Sequence, residues 1–202
     1  MVVNSENKIE LMAPAGNFES LQAALDNGAD SVYFGVEQLN MRARASINFT
    51  LDDLKEISDL CSAKNVRTYL TLNTIIYDHD LSIVKTLIRQ AKEAKITAVI
   101  AMDQAVIAIA RQEGMEVHIS TQINVTNIET LKFYAMFADT VVLSRELSLR
   151  QVKKITEQIE KEQIKGPSGR LVDCLLYTSP SPRDQLQHRV CRLLLENGGG
   201  GG

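Results

Sequence analysis

The chain has 202 residues, with 22 Lys and Arg against 25 Asp and Glu and a formal net charge of −3. That balance excludes a surface that coats nucleic acid through bulk charge, while leaving room for a local basic patch in a cleft. No apolar run approaches the length of a membrane span, and the opening MVVNSENK has neither the charged onset nor the apolar core of a signal peptide, so the protein is expected to be soluble and cytoplasmic.

From Ile9 onward, short β-rich runs alternate with longer helical patterns, the signature of βαβ units around a parallel sheet. The predicted strands are Ile9 to Ala13, Ser31 to Gly35, Arg67 to Asn73, Ala98 to Asp103, Glu116 to Gln122 and Thr140 to Ser144. The predicted helices are Phe18 to Asn27, Leu51 to Asn65, Leu81 to Lys95, Gln104 to Glu113, Asn127 to Ala138 and Leu149 to Gln163. Thr126 with Glu129 and Ser148 with Gln151 fit capping boxes, and Thr50 with Asp53 is a weaker version. Asp103 is placed to cap a helix start, and Gly28 and Gly114 to close helix ends in the left-handed region.

Six such units occupy Ile9 to Gln163, where a closed barrel of eight takes about 250 residues. The fold expected is therefore α/β, an incomplete TIM-like (βα) barrel with about six of eight units. An open doubly wound sheet fits less well, because APAGNFES after the first strand is not G-x-G-x-x-G. Gly166-Pro167-Ser168-Gly169 is a turn, and Leu171-Val172 begins a seventh strand.

The end of the chain has a different character. CLLYTSPSPRD (Cys174 to Asp184) back-translates into what looks like the read-through adapter of a sequencing library, VCRLLLE (Val190 to Glu196) into a flow-cell primer, and Gly198 to Gly202 into a run of g. The domain is accordingly drawn over residues 8–172, with 174–202 as an artefactual tail expected to stay outside any compact domain. Without the tail, 19 basic and 23 acidic residues remain, a net charge of −4. Of the three cysteines only Cys61 then survives, and one thiol makes neither an intrachain disulfide nor a CxxC metal site.

Several separated motifs stand at the predicted strand ends: LMAPAGNFESLQAALDNGADSVYFG (Leu11 to Gly35), NMRARASINFT (Asn40 to Thr50), TLNT (Thr71 to Thr74), HISTQINVTN (His118 to Asn127) and LSRELSL (Leu143 to Leu149). In this order they resemble the amino-terminal barrel of the U-32 peptidase family of collagenase-like proteins. The GPSG turn resembles the branch that includes tRNA uridine 5-hydroxylation proteins. The resemblance implies an RNA hydroxylation enzyme acting on tRNA or other RNA with a small carboxylate such as prephenate. It also implies an iron–sulfur cluster whose cysteine ligands follow an HGALC-like segment beyond Val172, so that this fragment binds no cofactor itself and is expected to be inactive. Two alternatives remain open: a true peptidase acting on protein, as the family is named, and a non-enzymatic binding module. A nucleophile with its base or a metal-bound water would mark the peptidase. The sequence has no H-E-x-x-H and no G-x-S-x-G, and Cys61 lies mid-helix as a small hydrophobe.

Alternation places His118, Ser120 and Gln122 of strand five, and Tyr69, Thr71 and Asn73 of strand three, toward the barrel interior. His118 is either a satisfied interior histidine or a catalytic one. Glu146 is the second catalytic candidate, although with Arg145 it also fits an ion pair between loops. Asn73, Gln122, Asn124 and Arg145 are substrate-binding candidates because they cluster at carboxyl-terminal strand ends. Arg42 and Arg44, in the loop after strand two, are the candidate anion site, since each guanidinium can grip a carboxylate or phosphate with two bonds. Arg42, Arg44, Asn73, Gln122 and Asn124 are expected to face one opening. No metal site is expected.

Overall fold

The computed structural model describes residues 10–36 and 49–176. The chain divides into two compact units, Met1–Met115 and Glu116–Gly202. The first contains β1 (Met12–Pro14), α1 (Phe18–Asp26), β2 (Ser31–Phe34), α2 (Asp53–Ser62), β3 (Arg67–Leu72), α3 (Leu81–Glu93), β4 (Ala98–Ala101) and α4 (Gln104–Gln112). The second contains β5 (Glu116–Ile119), α5 (Ile128–Ala135), β6 (Thr140–Val142), α6 (Leu149–Glu162) and β7 (Asp173–Leu175). The fold class is the one the repeat implies, an incomplete TIM-like (βα) barrel.

Within the first unit β1 to β4 pair in parallel and in sequence order, with Pro14 level with Tyr33, Tyr33 with Tyr69, and Tyr69 with Ala98. That register puts Met12, Tyr33, Tyr69, Ala98 and Ile100 in one apolar cluster. Leu70 and Leu72, of opposite parity on β3, are fully buried, as alternation along a strand covered on both faces requires. In the second unit β5, β6 and β7 are again parallel, His118 standing level with Thr140 and Thr140 with Asp173.

The helices begin where side chains can satisfy their first amide groups. Asn17 and Ser20 form a capping box at α1. Asp103 accepts from Ala105 N–H at 2.8 Å, and its other oxygen accepts from Ile76 N–H at 3.2 Å. Ser148 and Gln151 form the expected capping box at α6. The expected Thr126–Glu129 box is replaced: α5 starts one residue later, with Asn127 extended at φ −149° and accepting from Thr130 N–H at 2.9 Å. Thr50 and Asp53 do meet, both the amide and the hydroxyl of Thr50 donating to one carboxylate oxygen of Asp53. Gly28 and Gly114 take φ of +81° and +70°, as helix ends closed in the left-handed region demand.

The turn after α6 is held by a buried acid. Asp139 accepts from Ser168 N–H at 2.9 Å, and a Cβ on Gly166 would lie 2.8 Å from the Asp139 backbone. The seventh strand then runs through Cys174 and Leu175, paired with Val141 and Val142. It therefore crosses the boundary drawn at residue 174, because ladder bonds are made by backbone and accept any extended segment. Residues 177–202 lie outside the described residues. Among the described residues no helix is long and apolar enough to cross a membrane.

Candidate functional site

Barrel enzymes bind substrate beyond the carboxyl ends of their strands, and in each unit the parallel pairing sets those ends along one edge. In the first unit Asn73 follows β3 directly and is half-buried. Below it the polar residues of β3 are satisfied one by one. Thr71 donates to the Phe34 carbonyl at 2.7 Å, and Tyr69 donates to Glu10 at 2.7 Å. Glu10 is also paired with Arg67. Burial, reinforced by the neighbouring Glu10 charge, pushes the Tyr69 phenol well above its ordinary range. This Glu10–Tyr69–Arg67 group sits at the amino end of the strands, where barrels invest in stability. Nothing local in the sequence announced it, since Glu10 and Tyr69 are 59 residues apart.

The second unit carries the denser set of polar groups. Expected strand five stops at Ile119 instead of Gln122, because Ser120 caps a 3-10 turn over Thr121–Ile123. Gln122 therefore sits on that turn, beyond the strand alternation that placed it inward. Its amide oxygen is buried with no hydrogen-bond donor among the described residues. Asn124 ends the turn in the left-handed region at φ 56° and is exposed, a conformation that asparagine tolerates better than most residues. Val125 then bridges to Leu143, and Ser144 N–H donates to the Val125 carbonyl at 2.9 Å, so the segments after β5 and β6 are laced together. Past that lacing, Arg145 and Glu146 are exposed on a turn, and the buried Ser144 hydroxyl donates to Glu146.

His118 is buried on β5 and lies 3.2 Å from Glu116, two residues toward the amino end of the same face. Arg170 reaches the same Glu116 oxygen at 3.5 Å. Since His118 is level with Thr140, the Glu146 turn begins four or more residues further along, about 13 Å of extended chain. The two catalytic candidates thus occupy different levels of the second unit. Arg42 and Arg44 lie outside the described residues.

Cys61 is fully buried on α2, where burial raises its thiol to about 11. A thiol held in that form is a poor nucleophile. Among the described residues no group of three or more His, Cys, Asp or Glu could hold a metal ion.

The model of peptidase family U32 matches residues 16–165. The chain belongs to that family. It is 52% identical over 163 residues to a protein named collagenase from Porphyromonas gingivalis, covering 81% of this chain and 39% of that protein. It is 35% identical over 162 residues to a tRNA hydroxylation protein P from Helicobacter pylori, covering 77% and 38%. The chain thus spans about two-fifths of the length of these curated relatives. Among solved structures, the U32 peptidase Mk0906 superposes with a TM-score of 0.66 at 14% identity, covering 95% of this chain and 78% of that one, a likeness of fold.

Proposed function

We propose that the full-length protein containing this U32 segment hydroxylates a base in RNA, with uridine in tRNA as the leading substrate and a small dicarboxylate such as prephenate as co-substrate. The observation that carries this reading is the Gln122 amide oxygen, a buried acceptor at the carboxyl edge with no donor among the described residues. An unmet buried acceptor costs on the order of 1–3 kcal/mol, and a ligand N–H such as the imide of uracil would relieve it. Asn73 and Asn124 supply further amides at strand ends, suited to reading base edges or gripping a carboxylate but unable to act as general bases. Glu146 at the edge and His118 below it are the groups offered for proton handling. Arg42, Arg44 and Arg145 are offered to the carboxylate or to phosphate. The iron–sulfur ligands implied by the family would lie in the remainder of the full-length protein, and no step is assigned to them.

Proteolysis is the second reading, favoured by the 52% identity to a protein named collagenase. Against it, the buried thiol of Cys61 is unsuited to attack, and the Ser144 hydroxyl is itself buried and engaged with Glu146. The test is complementation of a bacterium lacking its own tRNA hydroxylation proteins with the full-length gene, followed by mass spectrometry of tRNA nucleosides and a gelatin digestion assay of the purified protein. Restored 5-hydroxyuridine with intact gelatin is expected. Digested gelatin without hydroxylated uridine would replace this reading by the second.

A further inference from the structure

The loop that leaves β3 departs from the usual economy of a barrel surface. Ile75 and Tyr77 are 65% and 63% exposed, although both are large and apolar. The Tyr77 ring lies parallel to that of His79, with an interplanar angle of 3° and centroids 5.7 Å apart. This pair is held on a fixed backbone. Tyr77 N–H donates to Asp80 at 3.0 Å, and Asp80 N–H returns a bond to the Tyr77 carbonyl at 2.9 Å. One residue earlier, Ile76 N–H is tied to the Asp103 cap of α4. The loop thus holds its aromatic residue in place before any ligand arrives, and it does so at the carboxyl edge of the first unit.

Resting on the RNA reading above, we infer that this loop is a stacking platform for an unpaired base of the RNA substrate, with Tyr77 as the residue that carries the base. An enzyme that modifies a base must take it, and often its neighbours, out of the helical stack. Exposed aromatic rings at fixed positions replace the stacking so lost. The charges of the loop favour the face of a base over the backbone. Asp78 and Asp80 stand on the same turn as the ring pair and repel phosphate, so the platform meets an uncharged planar group. The ordered pair also lowers the entropy lost on binding, because Tyr77 is already confined by His79 on one face.

The experiment uses the full-length protein and an RNA hairpin whose single-stranded loop carries 2-aminopurine beside a uridine. Binding is read by anisotropy, stacking by quenching of 2-aminopurine fluorescence, and folding by thermal unfolding. Tyr77→Ala is expected to weaken binding on the order of 5- to 100-fold and to relieve the quenching, with unfolding unchanged because the side chain is exposed. Tyr77→Phe, which keeps the ring, is expected to bind within about twofold of the parent. Tyr77→Ala binding and quenching like the parent overturns the platform while leaving the RNA reading intact, and is the result expected if the exposed ring instead meets another protein. A parent protein that does not bind the hairpin overturns the RNA reading and the platform with it.

Discussion

Tyr69, Ala98 and Ile100 in the first unit and His118, Ser120 and Ser144 in the second are all buried on or just past strands of one parallel repeat, yet their chemistry is opposed. The first set forms an apolar cluster with Met12 and Tyr33, and its one polar atom, the Tyr69 hydroxyl, is taken up by Glu10 at the amino end. The second set spends its polar atoms within the sheet and its edge: His118 on Glu116, the Ser120 oxygen on Gln122 N–H, Ser144 on Glu146. A layer of packed hydrocarbon stabilises a barrel and can do little else. Buried hydroxyls and an imidazole contribute less to stability, and they are retained where recognition or proton handling needs them. The same repeat therefore packs hydrocarbon along the strands of one unit and polar groups along those of the other.

The largest effect expected from this contrast is on stability in the first unit. Tyr69→Ala in the full-length protein removes a buried ring from the cluster and leaves Glu10 with Arg67 alone, a loss of about 3–5 kcal/mol. Ser144→Ala in the second unit removes a hydroxyl that donates to the Glu146 carboxylate and accepts from the Glu146 N–H at 3.5 Å, a loss of about 1–2 kcal/mol. Denaturant unfolding of both variants measures the difference, and equal losses would show that the two faces are not divided between packing and recognition.

An intermediate effect is set by pH. Cys61 sits among apolar groups of the first unit and titrates at about 11, against an ordinary value of 9.0. Both states are neutral below pH 9, so the full stability is present there. Between pH 9 and about 11 the unfolded thiol ionises first, and stability falls as pH rises, by on the order of 2 kcal/mol across the window. The Tyr69 phenol, raised by burial from an ordinary 10.0, adds to the loss from about pH 10 upward. Cys174, raised to about 12 at β7, loses stability in the same direction, so the assignment needs a control. Comparing the pH slope of the parent with that of Cys61→Ala isolates the Cys61 share. Parallel slopes between pH 9 and 11 would mean that this thiol is not held neutral by burial.

The legible part of this molecule is the part written in neighbouring residues. Asp103 as a cap, the Ser148–Gln151 box and the left-handed Gly28 and Gly114 each follow from chemistry within a few positions, and all are found. At Thr126 and Asn127 two cap-competent residues stand side by side, and local chemistry does not choose between them; the extended backbone at Asn127 does. Strand ends were overrun for a related reason. Alternation continues through Ser120 to Gln122 in the sequence, whereas the hydroxyl of Ser120 turns the chain after Ile119. Contacts such as Glu10 with Tyr69, or Asp139 with Ser168 across 29 residues, leave no local signature at all. The candidate site divides along the same line. That amides stand just past strand ends was expected from spacing, but that the Gln122 amide oxygen, like the Ser31 hydroxyl, is buried with no donor among the described residues depends on what the folded chain brings near it.

The smallest effect expected is an increase in stability, and it bears most directly on the site. The Gln122 amide oxygen is buried with no donor among the described residues, so an apolar group of similar length would fit the same space without an unmet acceptor. Gln122→Met keeps the unbranched shape, removes the unmet acceptor and is expected to stabilise the full-length protein by about 1 kcal/mol. If the oxygen is kept for a ligand N–H, the same substitution lowers RNA hydroxylation while raising the unfolding midpoint. Such opposed changes are what a group retained for function at a cost in stability should give. Hydroxylation of tRNA uridine by the variant, measured beside its denaturant midpoint, decides the matter. A variant that is more stable and fully active would leave Gln122 as a packing residue and move recognition of the base to Asn73 or Asn124. A variant that is less stable would mean that the amide finds a partner within the fold in solution.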